Sequence, residues 1–367
     1  MTRFYTLRPE LTGKWLDILE RAFQYDFYHL PSYHSLAEEQ GEGQAYLFVY
    51  EEGRHFIALP LILRPIESVP GLRGRSDLWD ASSVYGYAGP IASQPDMPTS
   101  VINAFQTRLA EALFARNIVA IFSRLHPLIP QKIFLSGLGE VVVSGQTVSI
   151  DLTLPLEKQE AQYRKDHKYG LKKLERLGVV CIHDVNMTYL GDFIEIYHES
   201  MHRVGASPYY FFGQTYFEKL VRALGEKIHL FVCKLEGQVI SGGLFILCDG
   251  IVQYHLAGSK EEFLQLASMK LVIDRARIWA TEQGAHTLHL GGGVSSQADT
   301  LFDFKAGFSK RRHMFCTWRW IVKEELYKQL CAEKAYWNEK NQLKPISDYF
   351  PAYRAPTAPL NKSADEW

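Results

Sequence analysis

The chain is poor in the devices that small secreted proteins and metal-binding proteins rely on. Its 367 residues include five cysteines: Cys181, Cys233, Cys248, Cys316 and Cys331. The number is odd, the spacing is wide and no Cys-x-x-Cys occurs, which argues against a disulfide framework and against a zinc site. Buried free thiols in a reducing compartment are the expected state. No apolar run approaches the ~20 residues needed to cross a bilayer; the longest, such as residues 56–63, have strand length. Residues 1–10 show no signal-peptide pattern, so a cytoplasmic location is expected. Neither sign of charge dominates: 40 Lys and Arg against 41 Asp and Glu leave a formal −1. That balance excludes a chain-wide polyelectrolyte binder of nucleic acid and leaves room for a local basic patch. There is no P-loop, no Gly-x-Gly-x-x-Gly after a strand and no His-Glu-x-x-His, so no metal is expected.

The length fits two domains of ~150 residues. Two stretches repeat one pattern. Residues 46–53 and 56–63 form a β-rich run, a turn with Glu-Gly and a second β-rich run; residues 229–237 and 239–247 do the same. Both read as hairpins, and their shared order points to a duplication. After the second hairpin come a strand (251–257), a helix with apolar residues at Leu266, Met269, Ile273, Ala276 and Ala280, and a strand (287–290). That strand ends in Gly291-Gly292-Gly293 and is followed by a short helix (300–304) and a strand (313–322). The first half offers a helix (101–116) and strands at 118–123 and 141–152. A new amphipathic helix opens over 159–178. The sum is a mixed α/β sheet with helices packed on it. The tail from Pro345, rich in proline, reads as an irregular extension.

Four segments can carry chemistry. The loop 80–90 holds Tyr85, Gly86, Tyr87 and Gly89, which could bring backbone and aromatic faces to a ligand or simply make a turn. On the helix 163–178, Lys165, Lys168, Lys172 and Arg176 share one face at steps of three and four, opposite Leu171, Leu174 and Leu177. Such a row either meets phosphates or is a solvated face. Tyr254 and His255 lie in a strand, where alternation sends them to opposite faces; His255 has the side chain of a general base. The most specific segment is His289-Leu290-Gly291-Gly292-Gly293, followed by Asp299 and Phe302-Asp303-Phe304-Lys305-Ala306-Gly307-Phe308. It presents a lysine among aromatics beside a glycine loop, a place to stabilise an oxyanion or a charged leaving group. By itself, such a lysine could equally snorkel over apolar surface.

Phe304-Lys305-x-Gly307-Phe308 after a glycine-rich strand end resembles the Fem-type (FemABX) peptidyl transferases and their acetyltransferase-like (GNAT) relatives. Tyr85-Gly86-Tyr87 before Gly89-Pro90, the basic helix ending Leu174-Glu175-Arg176-Leu177-Gly178, Tyr254-x-x-x-Gly258-Ser259 and the arginine of Tyr197–Arg203 agree in order. The resemblance implies two tandem GNAT-like domains, each a mixed, mostly antiparallel sheet flanked by helices. The first would span 1–150, completed by a strand near 313–325; the second would span 151–312, with a C-terminal extension at 323–367. It implies transfer of an aminoacyl group from aminoacyl-tRNA to an amine of a cell-wall precursor or related acceptor, with no tightly bound cofactor. Lys305, with Phe304 beside it, would be the catalytic cation; the proton of the amine would go to Asp303, to His255 or to the substrate itself. Arg203 would hold a phosphate or carboxylate of the acceptor. Tyr85, Tyr87, Tyr254, His255 and Gly292 would line the substrate groove. Lys165, Lys168, Lys172, Ser268 and Lys270 would face the donor. Two departures keep the donor open. Residues 177–206 leave no room for the long helical hairpin with which many Fem proteins hold tRNA. Residues 263–270, where acetyltransferases cradle the pyrophosphate of acyl-CoA, contain no glycine. An acyl-CoA-dependent N-acyltransferase acting on a sugar or small amine is the alternative; a ligand-binding module without catalysis is a third reading.

Overall fold

The computed structural model of the chain describes residues 2–346 and 349–360. The first elements are β1 (Thr2–Leu7), α1 (Thr12–Glu20), α2 (Pro31–Glu39), β2 (Gln44–Glu52), β3 (His55–Pro65), β4 (Trp79–Ser82) and β5 (Ile91–Ala92). They are followed by α3 (Thr99–Ala115), β6 (Ile118–Arg124), α4 (Lys132–Leu135), β7 (Glu140–Asp151), α5 (Leu156–Ala161) and α6 (Lys165–Arg176). Next come β8 (Val180–Asp184), α7 (Leu190–Arg203), α8 (Gln214–Leu224), β9 (Ile228–Leu235), β10 (Gln238–Cys248) and β11 (Ile251–Ser259). The chain closes with α9 (Met269–Glu282), β12 (Thr287–Gly291), α10 (Thr300–Ala306), β13 (Arg311–Ile321), α11 (Glu324–Lys340), β14 (Leu343–Pro345) and β15 (Thr357–Pro359). Among the described residues no helix is long and apolar enough to cross a membrane.

Two compact units emerge: residues 1–144 with 315–367, and residues 145–314. The chain passes from one to the other within β7 and returns within β13. Their sheets follow the same plan. In the first unit an antiparallel meander β1-β2-β3-β4 meets β6 in parallel, and β6 pairs antiparallel with β13. In the second, the meander β8-β9-β10-β11 meets β12 in parallel, and β12 pairs antiparallel with β7. A helix makes each parallel crossover, α3 in one and α9 in the other, as a parallel connection requires. The closing strands are exchanged: β7 follows the first unit in sequence and completes the second, while β13 follows the second and completes the first.

Each sheet buries one face under its crossover helix. Val101, Ile102, Phe105, Leu109 and Leu113 of α3 pack on Phe48, Ile57, Leu59, Ile121 and Trp318. Val272, Ile273, Ala276 and Ala280 of α9 pack on Phe231, Phe245, Val252, Leu288 and Leu290. In the second unit the other face carries α7. Gly242 of β10 faces Phe193 of α7, and the next residue, Gly243, faces Val272 of α9, so the two helices lie on opposite sides of the sheet.

Three local expectations shift. The helix expected over 159–178 is two helices, because Arg164 is extended (φ −60°, ψ 153°) and its N–H donates to the Gly307 carbonyl at 2.8 Å. Leu177 is exposed, because it follows the last turn of α6 and leaves the apolar stripe; Leu174 is buried. Residues beyond 323 are part of the first unit: Leu330 of α11 and Tyr353 are buried with Ile66, Val69, Leu72, Leu78 and Val119. Pro345 closes β14, and the tail beyond it supplies β15, which pairs with β14; residues 347–348 and 361–367 lie outside the described ones.

Candidate functional site

β11 and β12 pair over only three residues, Ile251↔Thr287, Val252↔Leu288 and Gln253↔His289. β11 then runs on to Ser259 with no strand paired on that side among the described residues, so the two strands open a wedge whose apex is the Gln253–His289 rung. The opening is accompanied by a β-bulge: Phe245 of β10 pairs with Tyr254, and Leu244 pairs with Leu256. His255 is the extra residue, and strict alternation of Tyr254 and His255 does not hold. Bulges re-aim a strand locally, and this one sits where the wedge starts.

Lys305 stands at the mouth of the wedge. α10 begins at Asp299, whose carboxylate accepts the Phe302 and Val294 N–H groups, both at 2.8 Å. A methyl group on Gly293 would come within 2.2 Å of that carboxylate, so a glycine is needed where the chain turns from β12 into the helix. One turn on, the Lys305 ammonium donates to the Gly292 carbonyl at 2.6 Å and lies 5.7 Å from the centre of the Tyr254 ring. It thus bridges the end of β12 and the bulge of β11. Lys305 is 8% exposed; burial pulls its ammonium down to about 8, against a smaller upward pull from Asp299.

α6 fixes this lysine from behind. The Arg164 guanidinium donates to both Asp303 carboxylate oxygens, at 2.9 and 3.0 Å, and to the Asp303 carbonyl at 3.0 Å. His167 Nε2 donates to the Phe304 carbonyl at 2.9 Å. Phe304 packs on His167 and Phe308, each ring 5.5 Å away, so its side chain seats α10 against α6. Asp303, tied to Arg164, is poorly placed to take a proton from a substrate. A Cβ on Gly307 would come within 2.2 Å of the His167 ring. Gly307→Ala is therefore expected to force α10 away from α6, lowering stability by ~1–3 kcal/mol and turnover with it. Urea unfolding and steady-state rates on the same preparation check both.

The other sequence candidates divide over the two faces of the sheet. Arg203, at the end of α7, is exposed and donates to the Ser259 carbonyl (3.1 Å) and the Ser200 hydroxyl (3.2 Å); it holds the far end of β11 on the α7 side. His255 is pulled down to about 3 by burial, so its imidazole is neutral near pH 7. At the start of α9, Ser268 is buried and its hydroxyl donates to Ser241 at 2.7 Å. Lys270 reaches the Asp166 carbonyl (3.3 Å) and carboxylate (3.4 Å) of α6. Lys168 donates to the Ala161 carbonyl at 3.1 Å. Lys165 and Lys172 are exposed and make no ion pair within 4 Å among the described residues.

Tyr85 and Tyr87 belong to the first unit. Tyr87 meets Tyr28, His126 and Phe315 edge-on, at 5.6, 6.0 and 5.3 Å; burial pushes its phenol up to about 12. The Tyr85 carbonyl accepts the Tyr33 hydroxyl at 3.0 Å. A buried polar network pins this loop. His126 Nδ1 accepts the Leu128 N–H (3.1 Å), so its Nε2 donates to Asp26 (2.9 Å). His29 Nε2 donates to the Gly89 carbonyl at 3.1 Å. The pairings of Asp26 with His126 and of His29 with Gly89 escape sequence reasoning because nothing local joins groups 100 and 60 residues apart in the chain. Among the described residues no three His, Cys, Asp or Glu side chains converge to hold a metal ion.

A wedge between parallel strands, a bulge beside it and a crossover helix behind it define a GNAT-type acyl-transfer domain. Residues 161–319 match the family model described as the acetyltransferase (GNAT) domain, and the protein is an enzyme that transfers acyl groups. No curated protein sequence matches the chain. Among solved structures, FemX is similar over 89% of this chain and 99% of its own, at 14% identity and a TM-score of 0.65. L-PGS from Bacillus licheniformis is similar over 85% and 92%, at 14% identity and a TM-score of 0.51. A conserved protein of unknown function from Bacteroides thetaiotaomicron covers 87% and 100%, at 6% identity and a TM-score of 0.55. The architecture is that of two tandem GNAT-like domains.

Proposed function

We propose that the protein is a Fem-type transferase, moving an aminoacyl group from aminoacyl-tRNA to the amine of a cell-wall precursor or a related acceptor in the cytoplasm. The observation that carries this reading is the state of the helix that would cradle a coenzyme pyrophosphate. Three amides near its start turn back into the chain: Lys270 N–H donates to Ala267 O (3.0 Å), and Leu271 and Val272 N–H donate to Ser268 O (2.9 and 3.2 Å). Glu261 and Glu262 stand in the preceding loop. Anion binding at a helix start draws on free amides and positive surroundings; the inward bonds of these amides, the two glutamates and the engagement of Lys270 by Asp166 weaken both. Lys165 and Lys172 on α6, by contrast, are open to a polyanion. The whole-chain likeness to FemX supports the same reading.

In the transfer itself, the acceptor nitrogen attacks the ester carbonyl held in the wedge. The Lys305 ammonium, fixed by the Gly292 carbonyl, stabilises the negative charge that develops on oxygen. Orientation of the two substrates supplies much of the remainder. The match to the acetyltransferase (GNAT) family model favours one second reading, an acyl-CoA-dependent N-acyltransferase acting on a sugar or small amine.

Binding separates the two. Charged tRNA is expected to bind with a steep salt dependence. The double variant Lys165→Glu/Lys172→Glu should weaken it by about tenfold or more near 0.1 M salt and flatten the slope by one to two counterions, at roughly 0.7–0.9 per phosphate contact. Calorimetric titration with acetyl-CoA should give no saturable heat. Micromolar acetyl-CoA binding, with tRNA affinity indifferent to the two lysines, would move the assignment to the second reading.

A further inference from the structure

The basic stretch Lys310-Arg311-Arg312-His313 follows α10 and opens β13, and the oxyanion chemistry of Lys305 uses none of it. Lys310 is exposed. Arg311 pairs with Asp151 of β7 at 3.0 Å, and His313 lies 2.7 Å from Ser149 two residues earlier on the same strand. Alternation sends Arg312 to the opposite face. There its guanidinium lies over the Phe302 ring of α10, 5.6 Å from the centre. Phe302 precedes Lys305 by one helical turn, so the two side chains project from one face of α10. A second cation therefore stands on the helix face that carries Lys305, one turn nearer its start.

The hydrogen bonds of Arg312 leave one edge open. Its Nη1 donates to the Ser309 carbonyl at 2.8 Å and to the Arg311 carbonyl at 3.0 Å, which fixes the plane of the group. Among the described residues its Nε and Nη2 donate to nothing, and it makes no ion pair. The acids of this part of the chain are engaged elsewhere. Asp299 caps α10, Asp303 holds Arg164 and Asp151 holds Arg311. Arg312 is half-buried, and burial pulls its guanidinium below its ordinary value with no charged neighbour to offset the loss. The Nε–H and Nη2–H bonds run parallel and form the edge with which an arginine grips two oxygens of a phosphate.

The position of that edge selects among phosphates. In an aminoacyl ester of RNA the reacting oxygen and the nearest phosphate are on the same ribose. In an acyl-CoA the nearest phosphate lies beyond the whole pantetheine arm. In a nucleotide-linked acceptor a sugar and a peptide separate it from the amine. A phosphate one helical turn from Lys305 fits the first of these. We propose that Arg312, seated on Phe302, binds the phosphodiester on the 5′ side of the terminal nucleoside of the donor RNA and so selects a nucleotide ester over a thioester. The inference rests on transfer from aminoacyl-tRNA at the Lys305 site. Arg312 touches the donor and makes or breaks no bond.

Calorimetric titration of the full-length protein with two stable donor analogues tests this. One is an adenosine whose 3′ oxygen is replaced by an amide-linked amino acid; the other is the same molecule with a 5′-phosphate. The phosphate should tighten binding to the parent by about ten- to a hundredfold, the scale of hydrogen bonds to a charged group. In Arg312→Met that gain should vanish while the unphosphorylated analogue binds as it does to the parent. Arg312→Lys, which keeps the charge and loses the fork, should recover only part of the gain. A parent that binds both analogues equally would overturn the assignment and leave the transferase reading standing. So would an Arg312→Met variant that keeps the preference, or one that loses both analogues alike. A parent that binds neither analogue would overturn the transferase reading, and this inference with it. Uridine 5′-diphosphate, which carries the phosphates of a nucleotide-linked acceptor, should not distinguish parent from Arg312→Met. A loss there would move the guanidinium to the acceptor and overturn the assignment to the donor.

Discussion

Replacing Lys305 by Met is expected to abolish turnover and at the same time to make the protein harder to unfold. The two effects have one cause. The ammonium is held in a desolvated site with no carboxylate within 4 Å among the described residues; its hydrogen bond goes to the Gly292 carbonyl, and its ionisation is pulled from 10.5 to about 8. A depression of that size corresponds to roughly 3 kcal/mol at most. Loss of the hydrogen bond to Gly292 offsets about 1 kcal/mol of it, so a net gain of ~1–3 kcal/mol is expected. The sign with pH follows. Between about 8 and 10.5 the unfolded chain binds more protons at this lysine than the folded one, so parent stability rises with pH across that window. The advantage of the Met variant should be full below pH 8 and should fade toward pH 10.5. In the parent enzyme, a lysine that acts as a cation should lose effect as pH rises through about 8. The Met variant should lose about a thousandfold in kcat, the scale of an oxyanion donor. Denaturant unfolding from pH 7 to 10.5, with rates on the same samples, tests both halves. A stable variant with normal turnover would remove Lys305 from the chemistry; a less stable one would show that the ammonium is compensated in the fold.

The second large effect lies far from the wedge. Asp80 is fully buried in the first unit and takes two guanidinium groups, Arg64 at 2.7 Å and Arg354 on its other oxygen. Arg354 also donates to the Pro65 carbonyl at 2.9 Å, and Tyr353 beside it is buried. This cluster ties the C-terminal segment to the sheet. Asp80→Asn keeps the shape and removes the charge, which leaves two arginines facing a neutral amide. Breaking a buried pair in this way costs about 3–5 kcal/mol. Unfolding midpoints should fall accordingly, and limited proteolysis should cut near residue 350 before it cuts elsewhere. A loss below ~1 kcal/mol would mean that the guanidinium groups are already solvated. The double change Asp80→Asn/Arg354→Met should recover part of the loss, because it removes one orphaned charge.

What the sequence shows of the site is its local part. Gly291-Gly292-Gly293 followed by Asp299 and Phe304-Lys305 can be read in one stretch, because a strand end, a glycine turn and a helix cap are neighbours in the chain. The repeated hairpins likewise reveal the duplication. The bulge at His255 is invisible in its own strand: it is defined by the pairing of β11 with β10, and simple alternation gives the wrong geometry there. His289, Ser149 and Gln253 are ordinary residues in three strands until register sets them side by side. The exchange of closing strands is half legible. A strand near residues 313–322 that returns to the first domain is suggested by order, but nothing local says that β7 completes the second. Asp80, Arg64 and Arg354 meet only because the tail folds back. Ser268 and Lys270 look available in sequence, yet the helix start turns one inward to Ser241 and gives the other to Asp166.

The central claim, aminoacyl rather than coenzyme-bound acyl transfer, is tested most directly by a single-turnover reaction. Purified protein would be mixed with tRNA charged with a radiolabelled amino acid and with a nucleotide-linked cell-wall peptide that carries a free lysine amine. The account predicts that label moves from tRNA to that amine, and that it stays on tRNA with the Lys305→Met variant. If label remains on the tRNA with the parent enzyme while acetyl-CoA acetylates an amine in the same mixture, the account is contradicted and the protein is a coenzyme A-dependent acyltransferase.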